Sequence, residues 1–89
     1  MEFDWDEHNT KHLRAHRVSR HEFEEVLRGE PLDLDYQVEN GEERYKALGM
    51  TQRGRVLIVV WTPRDGRVHA ITAYNAGAAY KKLLRKIRT

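Results

Sequence analysis

The chain has no cysteine, which excludes a disulfide framework and any zinc site built on thiolates. Long apolar runs are almost as scarce. Only residues 55–61, Arg55-Val56-Leu57-Ile58-Val59-Val60-Trp61, run apolar without a break after the first residue, and a membrane helix needs about 20 such residues. No membrane partner is expected. The opening Met1-Glu2-Phe3-Asp4-Trp5-Asp6-Glu7 is acidic where a secretory leader is basic, so a cytoplasmic protein is expected. The chain has no G-x-G-x-x-G, Walker loop or nucleophile elbow. Nucleotide-dependent and acyl-transfer chemistry drop out with them.

Acid is missing from one half. From residue 44 onward a single acid, Asp65, faces 11 Lys/Arg, a balance of +10. Residues 1–43 carry 13 Asp/Glu against 5 Lys/Arg, a balance of −8, so the overall +2 conceals a separation. Within 89 residues, enough for one small domain spanning 1–89, this predicts a bipolar surface. The basic half suits a polyanion such as RNA or DNA, and the acidic half a cationic partner.

What is present is organised around the run at 55–61. It is rich in β-branched residues, with a basic, glycine-containing turn before it and Pro63-Arg64-Asp65-Gly66 after it. A run of this kind reads as a strand covered on both faces, hence the centre of a sheet. Ahead of it, Phe3-Asp4-Trp5 reads as a short strand or an ordered arm. Residues 7–16 read as a helix, acidic first and basic last, as the helix dipole prefers.

Ser19-Arg20-His21-Glu22 has capping-box spacing and predicts a second helix to about residue 28, with Phe23, Val26 and Leu27 on its buried stripe. Ser19 is better used as that cap than as a nucleophile. Gly29 is placed to close the helix, and Pro31 stops it continuing. Strict alternation over residues 32–38 gives a strand with one acidic face. The Asn40-Gly41 turn leads to a partner strand at 44–48, and the turn at 51–54 leads to the central strand. Residues 68–73 read as the last strand.

Asn75 is a candidate cap for a final helix. Ala76, Ala79, Tyr80, Leu83, Leu84 and Ile87 form its apolar stripe, with Lys81, Lys82, Arg85, Lys86 and Arg88 on the other side. The expected fold is α+β: two N-terminal helices, an antiparallel meander of three to four strands, and a C-terminal helix.

Two constellations carry chemistry. His8, His12 and His16 share one helix face, and three readings compete. One straight helix offers two adjacent histidines to a metal but not three, and no fourth ligand follows, so no metal or other cofactor is expected. Histidines suit proton transfer near neutral pH, and they also suit a plain polar face. The second constellation is basic: Arg44 and Lys46 on a strand, Arg53 in a turn, and Arg55 at the mouth of the central strand. Arginine's planar fork grips phosphate oxygens two at a time. Tyr45, Trp61, Tyr74 and Tyr80 are aromatics that stack on bases or fill a core.

Trp5-Asp6, Asn9-x-x-His12-Leu13-x-x-His16-x-Val18 and Glu22-x-x-Glu25-Val26-Leu27 resemble the N-terminal half of BrnT-family toxins. The likeness continues through Tyr45-x-Ala47-Leu48-Gly49-x-Thr51-x-x-Gly54-Arg55-x-Leu57 and Ile71-Thr72-Ala73. The resemblance implies a RelE-like fold and a metal-independent ribonuclease that inhibits translation. It also implies a type II toxin–antitoxin pair, in which a small DNA-binding antitoxin neutralises the toxin. His16 and Arg55 stand where the family usually has these residue types, and His12 fits the branch that has a histidine there. These three become the expected catalytic set, and Arg44, Lys46, Arg53, Tyr74 and Tyr80 the expected RNA-binding set. A homo-oligomer within the toxin–antitoxin complex stays open. The chain departs from the pattern at Tyr74, where many relatives carry arginine, and at Tyr80-Lys81, where many carry an acidic-basic pair. A non-catalytic module binding nucleic acid or protein through the basic half is the alternative.

Overall fold

A computed structural model describes residues 1–88. The elements run β1 (Phe3–Asp4), α1 (Glu7–Ala15), α2 (Arg20–Arg28), β2 (Leu32–Glu39), β3 (Glu42–Met50), β4 (Val56–Arg64), β5 (Arg67–Asn75) and α3 (Ala78–Arg88). The sheet order is β1-β5-β4-β3-β2, so the apolar run is the middle strand, as its composition requires. β2 to β5 form the expected antiparallel meander.

The fifth strand is β1, which pairs parallel to β5 through Phe3 opposite Val68 and Asp4 opposite His69. Of the two readings of the first residues, the strand is the one observed. The parallel partner makes the sheet mixed, a feature of a contact across 65 residues that no local pattern announces.

Both tight hairpins use the left-handed region at two successive residues. Asn40 and Gly41 have φ of 52° and 78°, and Asp65 and Gly66 have 54° and 73°, the geometry whose twist matches paired strands. The second turn is shorter than the sequence suggests, because β4 continues through Pro63 to Arg64. Pairing with β3 ends at Tyr45 opposite Trp61. Beyond that point β4 has one neighbour, and a residue without an N–H is tolerated as it is on an edge.

Successive residues of β3 and β4 point to opposite faces, and two cores follow. On one face Leu13, Val18, Phe23, Val26 and Leu27 from the α1–α2 region pack with Ala47, Leu57, Val59 and Ala73. On the other, Leu84 of α3 packs with Leu48, Ile58 and Ala76. A Cβ added at Gly49 would lie 2.7 Å from Val26 Cγ1, so a side chain there would push α2 off β3.

Two expectations for the C-terminal helix need correction. Asn75 is the last residue of β5 rather than a helix cap. The ladder extends one step further, as the Ala76 N–H donates to Val56 O at 3.0 Å, and α3 begins only at Ala78. The apolar stripe has the right period but is mostly not covered. Leu84 is 1% exposed, whereas Tyr80, Leu83 and Ile87 are 39%, 38% and 55% exposed. No helix among the described residues is long and apolar enough to cross a membrane.

Candidate functional site

The site forms where the ends of four elements meet: the end of α1, the start of α2, the start of β4 and the end of β5. α1 starts on a capping box, with the Asn9 N–H donating to Asp6 Oδ1 (2.8 Å) and the Asp6 N–H donating to Asn9 Oδ1 (2.9 Å). It ends at His16. Arg17 then adopts φ 58°, and the Val18 N–H reaches back to Leu13 O at 3.0 Å while the Arg17 N–H reaches Arg14 O at 2.9 Å. These are the two bonds of a Schellman closure. They leave the carbonyls of His16 and Arg17 outside the helix.

α2 begins immediately after, and the Ser19 capping box is present as read. Ser19 Oγ accepts from the Glu22 N–H, and Glu22 Oε1 accepts from the Ser19 N–H, both at 3.0 Å. Before β4, a turn at Thr51 fixes Arg55: its N–H donates to Thr51 Oγ1 at 3.0 Å, and its carbonyl accepts from the Thr51 N–H at 2.8 Å.

The Arg55 guanidinium bridges all four ends. Nη1 donates to Arg17 O at 2.6 Å and lies 3.0 Å from both Glu22 Oε1 and Oε2. Nη2 is 3.5 Å from His16 O, and Nε donates to Asn75 Oδ1 at 3.1 Å. A cation at the carbonyl end of α1 is also favoured by the helix dipole. Burial opposes ionisation of Glu22. The Ser19 N–H and Arg55 outweigh it and hold the carboxyl below its ordinary range.

The His16 ring projects beside Tyr74, with centroids 6.1 Å apart. Arg53 shares a groove of about 510 Å³ with Ser19, Glu22, Glu25 and Gln52. The structure therefore brings Arg55, His16, Tyr74 and Arg53 into one neighbourhood.

The other expected residues lie apart from it. His12 is exposed one turn back on α1, and its ring contact is with His8 at 5.7 Å. Among the described residues no three potential ligands gather where they could hold a metal ion. Lys46 lies opposite Val60, four residues along β4 from Val56, or about 13 Å at strand rise. It shares the sheet face of Tyr74 by alternation. Arg44, two residues further, pairs with Glu39 at 3.4 Å and Glu42 at 3.3 Å. Tyr45 stacks on Trp61 at 5.5 Å and meets Tyr36 in a tilted contact at 5.0 Å. Tyr80 stands on the open stripe of α3.

Sequence reasoning missed the roles of Glu22 and Asn75 at this site, having used both residues as caps. Their contacts with Arg55 span 33 and 20 residues, and no spacing rule reaches that far.

Residues 5–79 match the family model described as a ribonuclease toxin, BrnT, of type II toxin–antitoxin systems. The chain belongs to this family. No curated protein matches it. The BrnT family is one of RNA-cleaving toxins held in check by an antitoxin, so RNA and an antitoxin are the partners its membership brings. The matched span takes in every element from α1 to β5 and stops two residues into α3.

Proposed function

We propose that this chain is a metal-independent endoribonuclease acting in the cytoplasm, and that it inhibits translation by cleaving RNA. The observation that carries the reading is the convergence of Arg55, the His16 end of α1 and Tyr74. Cleavage without a metal requires a proton acceptor for the ribose 2′-hydroxyl, a proton donor for the departing 5′-oxygen, and a cation for the charge that builds on phosphorus. Arg55 fills the third role with a fork matched to phosphate oxygens. His16 handles a proton, with His12 as the second candidate on the same helix. Tyr74 offers a ring to a base, and Arg53 extends the positive surface. Lys46 and Arg44 continue along the sheet face of Tyr74 and hold the RNA backbone beyond the scissile bond, and Tyr80 overlooks it from α3.

The test is cleavage of RNA by the purified chain with EDTA present. The wild type should cut, and His16→Ala should lose most of that activity. RNA left intact by the wild type, or cleavage that stops on chelation, refutes the proposal.

A second reading draws on the occupied state of Arg55 and on Tyr74 standing where many BrnT relatives have arginine. The chain then binds RNA through Arg53 and its neighbours without cutting it. That reading predicts salt-sensitive binding with no cleavage product. Binding indifferent to salt counts against it.

A further inference from the structure

Transesterification of RNA moves two protons, and of the histidines near Arg55, His16 stands beside Tyr74 while His21 turns to Glu25 at 3.3 Å. His12, the other candidate, has its ring contact with His8. The carboxylate beside Arg55 is a better-placed acceptor. Building on the ribonuclease reading above, we propose that Glu22 is the general base that removes the proton from the attacking 2′-hydroxyl, with His16 as the general acid.

Three observations support this. Both Glu22 oxygens lie 3.0 Å from Arg55 Nη1, so any phosphate held by that guanidinium sits next to the carboxylate. The capping box anchors Oε1 to the Ser19 N–H, which fixes the side chain. Among the described residues Oε2 is held by Arg55 alone, and it is released to a substrate when a phosphate takes that guanidinium. Finally, Glu22 is about a quarter exposed and lines the same groove as Arg53, so a ribose can reach it.

The step balances. A Glu22 oxygen takes the 2′-proton, the 2′-oxygen bonds to phosphorus, and the bond from phosphorus to the 5′-oxygen breaks as His16 protonates that oxygen. The products are a 2′,3′-cyclic phosphate and a 5′-hydroxyl, leaving Glu22 protonated and His16 neutral for solvent to reset. The groups facing Glu22 are Arg55 and Arg53 from the β3–β4 turn, His21 and Glu25 from its own helix, and the His16 end of α1. Burial opposes ionisation, and the Ser19 N–H and Arg55 outweigh it and keep the carboxylate ionised at neutral pH. When a phosphate engages Arg55, the carboxylate is freed and its basicity rises.

The experiment is a pH profile of cleavage of a defined RNA oligonucleotide by the full chain. Glu22→Gln should lower kcat/KM by about 10²–10⁴-fold and remove the acid limb of the profile. Gln preserves the capping box and the bond to Arg55, so the fold should be retained, and thermal melting checks this. Glu22→Asp should keep the limb with a smaller loss. Cleavage by Glu22→Gln within tenfold of wild type and with its acid limb intact overturns the proposal. Loss of that limb in His12→Ala, but not in Glu22→Gln, overturns it equally. A wild type that cuts no RNA defeats the ribonuclease reading itself and this inference with it, whereas an unaffected Glu22→Gln defeats this inference alone.

Discussion

Arg55 is both a strut between element ends and the proposed holder of phosphate, and one substitution separates the two. Arg55→Ala removes everything: the ion pair with Glu22, the bond to Asn75 and the cover on two carbonyls. Hydrogen bonds to charged groups contribute about 1.5–3 kcal/mol each when buried. Arg55 and Glu22 are 27% and 26% exposed, so solvent screening brings the total for the network down to about 2–3 kcal/mol. Starting from a stability of about 5 kcal/mol, the alanine variant still has about 2 kcal/mol and is about 97% folded. Unfolding alone therefore cannot explain a hundredfold loss of cleavage.

Arg55→Lys is the sharper test. It keeps the charge and one of the acceptors but loses the fork that reaches Glu22 and Asn75 together, a cost of about 1 kcal/mol. Loss of a preorganised donor to the developing charge costs about 10²–10³ in rate. The expected outcome is a melting temperature within about 4–8 °C of wild type and a cleavage rate at least about a hundredfold lower. Circular dichroism and a single-turnover RNA assay on the same preparation read both. If Arg55→Lys cleaves within about threefold of wild type, the arginine is a strut only, and the catalytic assignment fails.

Three further outcomes follow from local geometry. Arg17 sits at φ 58°, where glycine is at ease and other residues are strained by about 1 kcal/mol, so Arg17→Gly should raise the urea midpoint by an amount worth about 0.5–1 kcal/mol. Gly49→Ala places a methyl 2.7 Å from Val26 Cγ1 and should destabilise by about 1–3 kcal/mol. In a Val26→Ala background that cost should shrink, which a double-mutant cycle measures. The carboxyl of Glu22 is held below its ordinary value by the Ser19 N–H and Arg55 against the opposing effect of burial. A depressed carboxyl stabilises above its unfolded pKa of about 4.3 and loses that contribution as pH falls through the folded value. The gap in stability between wild type and Glu22→Gln should therefore be present at pH 7 and shrink progressively as the pH falls below about 4.3.

Local signals located most of the fold because they were strong and short-ranged. Residues 55–61 could be little else than a buried strand. Asn40-Gly41 and Asp65-Gly66 demanded turns, and Ser19-x-x-Glu22 demanded a helix start. The readings that changed depended on distant partners. Asn75 has the chemistry of a cap, but Val56 O draws the following N–H into the ladder and makes Asn75 a strand end. The 3.6-residue period of α3 correctly grouped Tyr80, Leu83, Leu84 and Ile87. It could not say how much sheet lies beneath them, and only Leu84 finds cover. At the site, Arg55 stood out as a residue with no easy structural explanation, whereas His16 also suited a plain polar helix face and was singled out by the family resemblance. Glu22 did not stand out, because its capping role already explained it.

The geometry around Arg55 accounts for how one residue can serve both fold and site. Every element end brings unsatisfied polar groups: last carbonyls from a helix, a carboxylate from a capping box, a side-chain amide from a strand end. A junction of such groups is best joined by a donor with several N–H bonds in a plane, and arginine has five. That same array is what a phosphate requires. Of the acceptors now on Arg55, only Glu22 is charged, while the carbonyls of His16 and Arg17 stand on an exposed turn where water can replace a lost donor. An arriving phosphate therefore competes chiefly with one carboxylate. Its charge replaces the one it displaces, so binding costs the fold little, and the displaced group is the carboxylate proposed to take the first proton.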